Sequence, residues 1–172
     1  IFSTILIFVI IFSSLYFYID KKNKKRIVLS ENYVQAKIYL EDGKKEEALV
    51  ARVPVPGPDA RSYHDFYTGY DADSEQDRFY GGGTGGYYVF NVTDLESPEL
   101  LVSLTGINGV EWGHTFTPSP DGRYVVAEAE YQYAPLRIFD LKPGLDGEVT
   151  NIRRPISAWT ANWEHLVHNH EV

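Results

Sequence analysis

Cysteine is absent from this 172-residue sequence, which removes disulfide and thiolate chemistry and leaves the redox compartment unreadable from cysteine usage. A surplus of positive charge is lacking too. The formal net charge is −8, and five positive charges sit in Lys21-Lys22-Asn23-Lys24-Lys25-Arg26, which leaves −13 on the rest of the chain. Phosphate backbones are bound by basic surface, so nucleic acid is not expected as a partner. There is no G-x-S-x-G elbow, so acyl transfer through a covalent nucleophile has no support. Beyond Ala60 no stretch carries a helical period.

What is present begins with an apolar run. Residues 1–19 are uncharged, free of Gly and Pro, and rich in Ile, Phe and Leu. As a helix this run would measure about 28 Å, close to the thickness of a bilayer core. It has no polar face to turn to solvent, so the expectation is a transmembrane or signal-anchor helix rather than a core helix. The basic cluster after it favours a cytoplasmic C-terminal side by the positive-inside rule. A secretory signal would instead carry its positive residues before the run, and no Ala-x-Ala-like site follows. The orientation stays open on these grounds. Residues 20–51 read as a basic juxtamembrane segment followed by a hairpin linker. Val34, Ala36, Ile38 and Leu40 alternate on one face, and Glu41-Asp42-Gly43-Lys44 supplies a turn. Pro54-Val55-Pro56-Gly57-Pro58 then marks a boundary.

Residues 52–172 carry a period of about 50 residues. His64, His114 and His168 open three similar segments, Ser62–Phe66, Trp112–Phe116 and Leu166–His170. Between them recur Tyr87-Tyr88-Val89-Phe90-Asn91-Val92 and Leu136-Arg137-Ile138-Phe139-Asp140-Leu141. Arg123–Ala127 follows Ser119-Pro120-Asp121-Gly122, where Pro presets φ and Gly accepts positive φ. Several short strands per period, with recurring aromatics and Gly, predict an all-β chain organised as β-propeller blades, the rival being an open β-solenoid. About two and a half blades fit between 52 and 172. A ring needs about four or more, so the chain is expected to be a fragment truncated at its C-terminal side.

These residues resemble the LVIVD-repeat family, named for strands of the type Tyr88-Val89-Phe90-Asn91-Val92 followed by an Asp…Pro turn, here Thr93-Asp94-Leu95-Glu96-Ser97-Pro98. The resemblance spans residues from about 50 to the end. The second copy departs from it, with Lys142-Pro143-Gly144-Leu145-Asp146-Gly147 replacing the turn. The family is similar to bacterial surface or secreted seven-bladed propellers, mostly without assigned activity. It is more distantly similar to selenium-binding proteins, which include copper-dependent methanethiol oxidases. The resemblance thus implies a membrane-anchored or exported propeller, periplasmic or extracellular, and implies chemistry only weakly.

Two functions follow. The first is a binding or interaction module that recognises a protein or small molecule at its channel mouth. The alternative is a metal-dependent, copper-type oxidase. In a propeller the first strand of each blade lines the channel, so His64, His114 and His168 would converge. Imidazole is the commonest transition-metal ligand. His170, two residues on and on the same strand face, could be a fourth ligand. Glu111, Glu128 and Glu130 are candidate orienters behind the ring. The competing reading is that each His pins its strand by bonding neighbouring backbone.

Other motifs carry less. Gly81-Gly82-Gly83-Thr84-Gly85-Gly86 matches G-x-G-x-x-G, but a strand follows where a dinucleotide site needs a helix, so a close-packed turn is expected. Asp71-x-Asp73-x-Glu75 lacks the Gly and Glu of a calcium loop and reads as a solvated turn. Asn91-Val92-Thr93 is a sequon inside an expected strand. Trp112, Trp159 and Trp163 read as packing residues.

Overall fold

The computed structural model describes residues 14, 16–21, 43, 53–56, 62–162, 166–168, 170 and 172. The chain divides into two compact units, Ile1–Ala51 and Arg52–Val172. In the first unit, residues 14 and 16–21 are helical, and Gly43 occupies a turn at φ +74°. The expected anchor over 1–19 and the expected hairpin at 33–53 fall mostly outside the described residues. Among those described, no helix is long and apolar enough to cross a membrane.

The second unit is built of two antiparallel four-stranded sheets, each with its strands in chain order. The first holds β1 (Tyr63–Asp71), β2 (Gln76–Gly83), β3 (Gly86–Asn91) and β4 (Glu99–Thr105). The second holds β5 (Phe116–Pro118), β6 (Tyr124–Ala127), β7 (Leu136–Asp140) and β8 (Ser157–Trp159), with a one-turn helix, α1 (Lys142–Leu145), between β7 and β8. Sequence pattern and structure agree closely on β3, β6 and β7. Tyr80 pairs with Val89 in the first sheet, and Val126 with Ile138 in the second.

β3 shows how the sequence builds the layers. Side chains alternate across a strand. Tyr87 and Val89 therefore enter the main core with Val102, Leu104, Phe116, Val125 and Phe139, while Tyr88 and Phe90 join a second cluster with Phe79 on the opposite face. Val53, Val55 and Tyr63 close over that second cluster. A strand buried on both faces needs apolar residues at successive positions, and β3 has them from Tyr87 to Phe90. Each fully buried aromatic or aliphatic side chain contributes about 1.5–3 kcal/mol. Tyr87 stacks on Phe116 with ring centroids 4.9 Å apart, which ties β3 to the start of the second sheet.

The turns obey their residues. Gly122 donates its N–H to the carbonyl of Ser119 and sits at φ +67°. The acidic turn after β1 is a closed hydrogen-bonded hairpin. Asp71 accepts from the Ser74 amide at 3.0 Å and hydroxyl, and pairs with the buried Arg78 guanidinium at 2.9 Å. Its carboxylate is thus committed within the hairpin. Asn91 closes β3 with its Oδ1 accepting from the Thr93 amide, 3.0 Å away. On the far edge of the first sheet, the backbone of Ser103 bonds both Thr150 and Ile152, and the Asn151 side chain bonds the amide and carbonyl of Thr105. That strap closes an edge that would otherwise present unpaired amides.

Of the expected strand at 166–170, the described residues 166–168 and 170, His168 and His170 among them, lie outside any strand.

Candidate metal centre

The glycine run positions the site. Gly81, Gly82 and Gly83 finish β2, and the turn through Thr84 and Gly85 leads into β3. The segment before β5 is sewn onto this turn: Gly85 donates to the Glu111 carbonyl at 2.8 Å and Gly113 donates to the Gly83 carbonyl at 2.9 Å. A Cβ on Gly82 would lie 2.0 Å from the His114 carbonyl oxygen, and one on Gly113 would lie 2.2 Å from that of Gly86. Backbones can approach this closely only where the residue facing the other strand lacks a side chain. The run therefore serves close packing, as its sequence context predicts, and seats His114 against the first sheet.

From there the ladder of the second sheet extends backwards. His114 donates its amide to the Glu128 carbonyl and Glu128 donates to the Thr115 carbonyl, both at 3.0 Å. Glu128 and Glu130 are two residues apart, and in extended chain such residues share a face. They flank the His114 ring on its two nitrogens. Nδ1 lies 3.1 Å from Glu128 Oε2, and Nε2 lies 3.3 Å from Glu130 Oε2. Thr115 Oγ1 is 2.8 Å from the same Nδ1. Glu128 is wholly buried, and its second oxygen has no partner. The Tyr87 hydroxyl donates to the Glu128 carbonyl at 2.6 Å. Burial, and then the nearby Glu128 charge, push that phenol well above its ordinary pKa, so it stays a donor.

Glu130 is the meeting point. His64 Nε2 lies 3.9 Å from its Oε2, and His168 Nε2 lies 3.4 Å from its Oε1. The His64 and His114 rings are 4.1 Å apart by centroid, and those of His114 and His168 are 5.1 Å apart. Donor atoms of His64, His114 and Glu130 all fall within 4.8 Å of one another. The structure thus brings His64 and His114 into one donor group with Glu130, while His168 stands against Glu130 outside that group.

His170 goes elsewhere. Its Nε2 donates to the Val126 carbonyl at 3.0 Å, its own carbonyl accepts from Thr117 Oγ1 at 3.2 Å, and burial lowers its pKa. It borders a separate cavity of about 470 Å³ with Asp65, Thr115 and Thr117.

Of the three glutamates read as orienters, Glu128 holds that position and Glu130 stands inside the ring. Glu111 is exposed, and its side chain turns back to the Gly109 amide at 3.3 Å. The sequence reading undervalued Glu130. The signal was the Glu-x-Glu alternation directly after β6, opposite His114 in the ladder.

The donor set suits a transition metal. A His114 that donates Nδ1–H to the buried Glu128 carboxylate would turn its Nε2 lone pair toward Glu130 and the other rings, as behind many metal-bound imidazoles. Metal–nitrogen bonds of about 2.0–2.1 Å would draw the donors closer than they stand here, within reach of side-chain torsions. Beside the cluster opens a cavity of about 560 Å³ bounded by Tyr63, His64, Trp112, His114, Glu130 and Tyr131. Trp112 and Trp159, expected to pack, are instead 58% and 57% exposed. Trp163 lies outside the described residues.

Compared with protein-family models, with curated proteins and with solved structures, the chain has no match in any of the three.

Proposed function

We propose that this chain supplies blades of a β-propeller of the LVIVD type, whose inner histidines hold a transition metal that acts on a small molecule entering the adjoining cavity. The observation that carries the reading is the convergence of His64, His114 and His168 on Glu130, with buried Glu128 behind His114. Consecutive four-stranded antiparallel sheets support the propeller, because blades of that kind stack around an axis with the first strand innermost. His64 lies on the first strand of one sheet, and His114 lies two residues before the first strand of the next.

Three imidazoles and one carboxylate suit copper, iron or zinc, with room for substrate or water. With copper or iron bound and dioxygen as the electron acceptor, the protein would be an oxidase, the role we favour. The observation behind it is the aromatic cavity directly beside the ring. A second reading, the interaction module, draws on Phe66 of β1 and Trp159 of β8, each exposed on an edge strand of its sheet. Membrane attachment through residues 1–19 completes the proposal and rests on the apolar run. The placing of the propeller outside the cytoplasm rests on the family resemblance, since the basic cluster by itself favours the other side.

The test is metal analysis of the full chain after equilibration with copper, iron or zinc and removal of free ion. About one equivalent in the parent, lost in His114→Ala, is the expected outcome. A parent that retains none of the three sinks the metal reading and leaves the interaction module.

A further inference from the structure

The cavity beside the histidines has a lining that selects its occupant. Its walls are the rings of Tyr63, Trp112 and Tyr131, and its floor includes Gly83 and Gly113. Both tyrosine hydroxyls are already committed. Tyr63 donates to the Pro54 carbonyl at 2.7 Å and Tyr131 to the Gly109 carbonyl at 2.9 Å. The tyrosines therefore offer ring carbons to the space rather than hydroxyls. Among the described residues no Lys or Arg lines it, and besides the tyrosines and Trp112 its polar side chains are Ser62, His64, His114 and Glu130, the last three of one cluster. The volume, about 560 Å³, lies within the range of small-molecule sites.

The geometry points to a neutral aromatic small molecule bearing a single hydroxyl, of the phenol class, as the occupant of this cavity. Its ring would lie against Trp112 and Tyr131, whose flat faces favour offset or edge-on aromatic partners over aliphatic ones. Its hydroxyl would reach the Glu130–histidine end, where it finds a carboxylate acceptor. A carboxylate or phosphate on the same ring would meet Glu130 with no cationic side chain to offset the repulsion. The inference deepens the metal reading by naming a substrate class for that same site. It depends on the metal only for what the hydroxyl meets.

The probes are 4-methylphenol, 4-hydroxybenzoate and cyclohexanol, titrated into the full chain by ligand-observed NMR, once zinc-loaded and once after chelation. 4-Methylphenol is expected to bind at least about tenfold more tightly than either of the others. Trp112→Ala and Trp112→Leu each weaken it about tenfold, while Trp159→Ala leaves it unchanged. Trp112 is exposed, so its variants keep the parental melting temperature. Equal binding of 4-hydroxybenzoate, indifference to Trp112, or no binding of 4-methylphenol in either state overturns the inference. Trp112-dependent binding in a protein that holds no zinc supports the cavity assignment and removes the metal instead.

Discussion

The His114 imidazole and the Glu128 carboxylate form a buried pair, Nδ1 to Oε2 at 3.1 Å, and Glu128 has no exposed surface. A carboxylate taken fully out of water is costly unless it is paired and bonded. This one spends one oxygen on a single ring nitrogen and leaves the other without a partner. Such an arrangement is poor for stability and good for fixing an imidazole. Glu128→Gln should therefore leave the metal-free melting temperature unchanged or raised. Metal affinity should fall about 10- to 100-fold, the usual loss when a residue orienting a ligand is changed. Calorimetric titration with zinc, beside a thermal melt, separates the two effects. A lower melting temperature with intact affinity would assign Glu128 a packing role only.

His168 and His170 stand two residues apart and should answer differently to the same change. His168 Nε2 faces Glu130 at 3.4 Å, so His168→Ala removes a donor from the cluster and should weaken zinc binding by about tenfold or more. His170 Nε2 donates to the Val126 carbonyl in β6. Loss of that bond in His170→Ala should cost about 1 kcal/mol, or about 2–4 °C in melting temperature. Its zinc affinity should stay within about twofold of the parent. A tenfold loss in His170→Ala would return His170 to the ligand set.

That contrast shows where the sequence was legible. A spacing near 50 residues marked His64 and His114, and the alternation of buried aromatics marked β3 with both faces covered. These are local signals: the period of a strand is 2, and a turn such as Ser119–Gly122 declares itself by Pro and Gly. His170 was placed beside His168 on the assumption of a strand over 166–170, whereas its ring bonds the Val126 carbonyl instead. Trp112 was misjudged for a related reason. Its backbone bridges Thr84, which looks like packing in sequence, yet the glycines opposite it leave a space that its ring borders.

Gly82 is where a single methyl group should disturb the site from behind. The added Cβ of Gly82→Ala would stand 2.0 Å from the His114 carbonyl oxygen, and the amide of that residue is bonded to the Glu128 carbonyl at 3.0 Å. Relief requires the 111–114 segment to move off β2. The expected cost is about 1–3 kcal/mol in urea unfolding, accompanied by weaker zinc binding, because the moving segment carries His114. Gly147, at a turn where an added Cβ meets nothing within 4 Å, gives the control. Because Gly147 sits at φ +76°, Gly147→Asn should cost up to about 1 kcal/mol while leaving zinc binding unchanged. Unchanged stability in Gly82→Ala would mean that the two sheets are not in contact at this point.

The hairpin that joins β1 to β2 should carry a pH dependence of its own. Burial works against ionisation of Asp71, but hydrogen bonds from the Ser74 side chain and backbone, with the Arg78 charge, outweigh it and hold the carboxyl below its ordinary value. A folded-state pKa below the unfolded one means that the folded chain binds the proton less readily. The stabilisation is then complete above about pH 4, the unfolded value, and is lost as pH falls through the lower folded value. Asp71→Asn should be less stable than the parent at pH 7 by about 1.5–3 kcal/mol, the scale of a hydrogen bond to a charged group, because Arg78 is 6% exposed and would lose its counter-charge. Below pH 4 the gap should close, since the parent's own carboxyl is then becoming neutral. Urea unfolding at pH 7, 5 and 3 measures it. A gap that stays constant over that range would show that Asp71 contributes through hydrogen bonding alone and not through its charge.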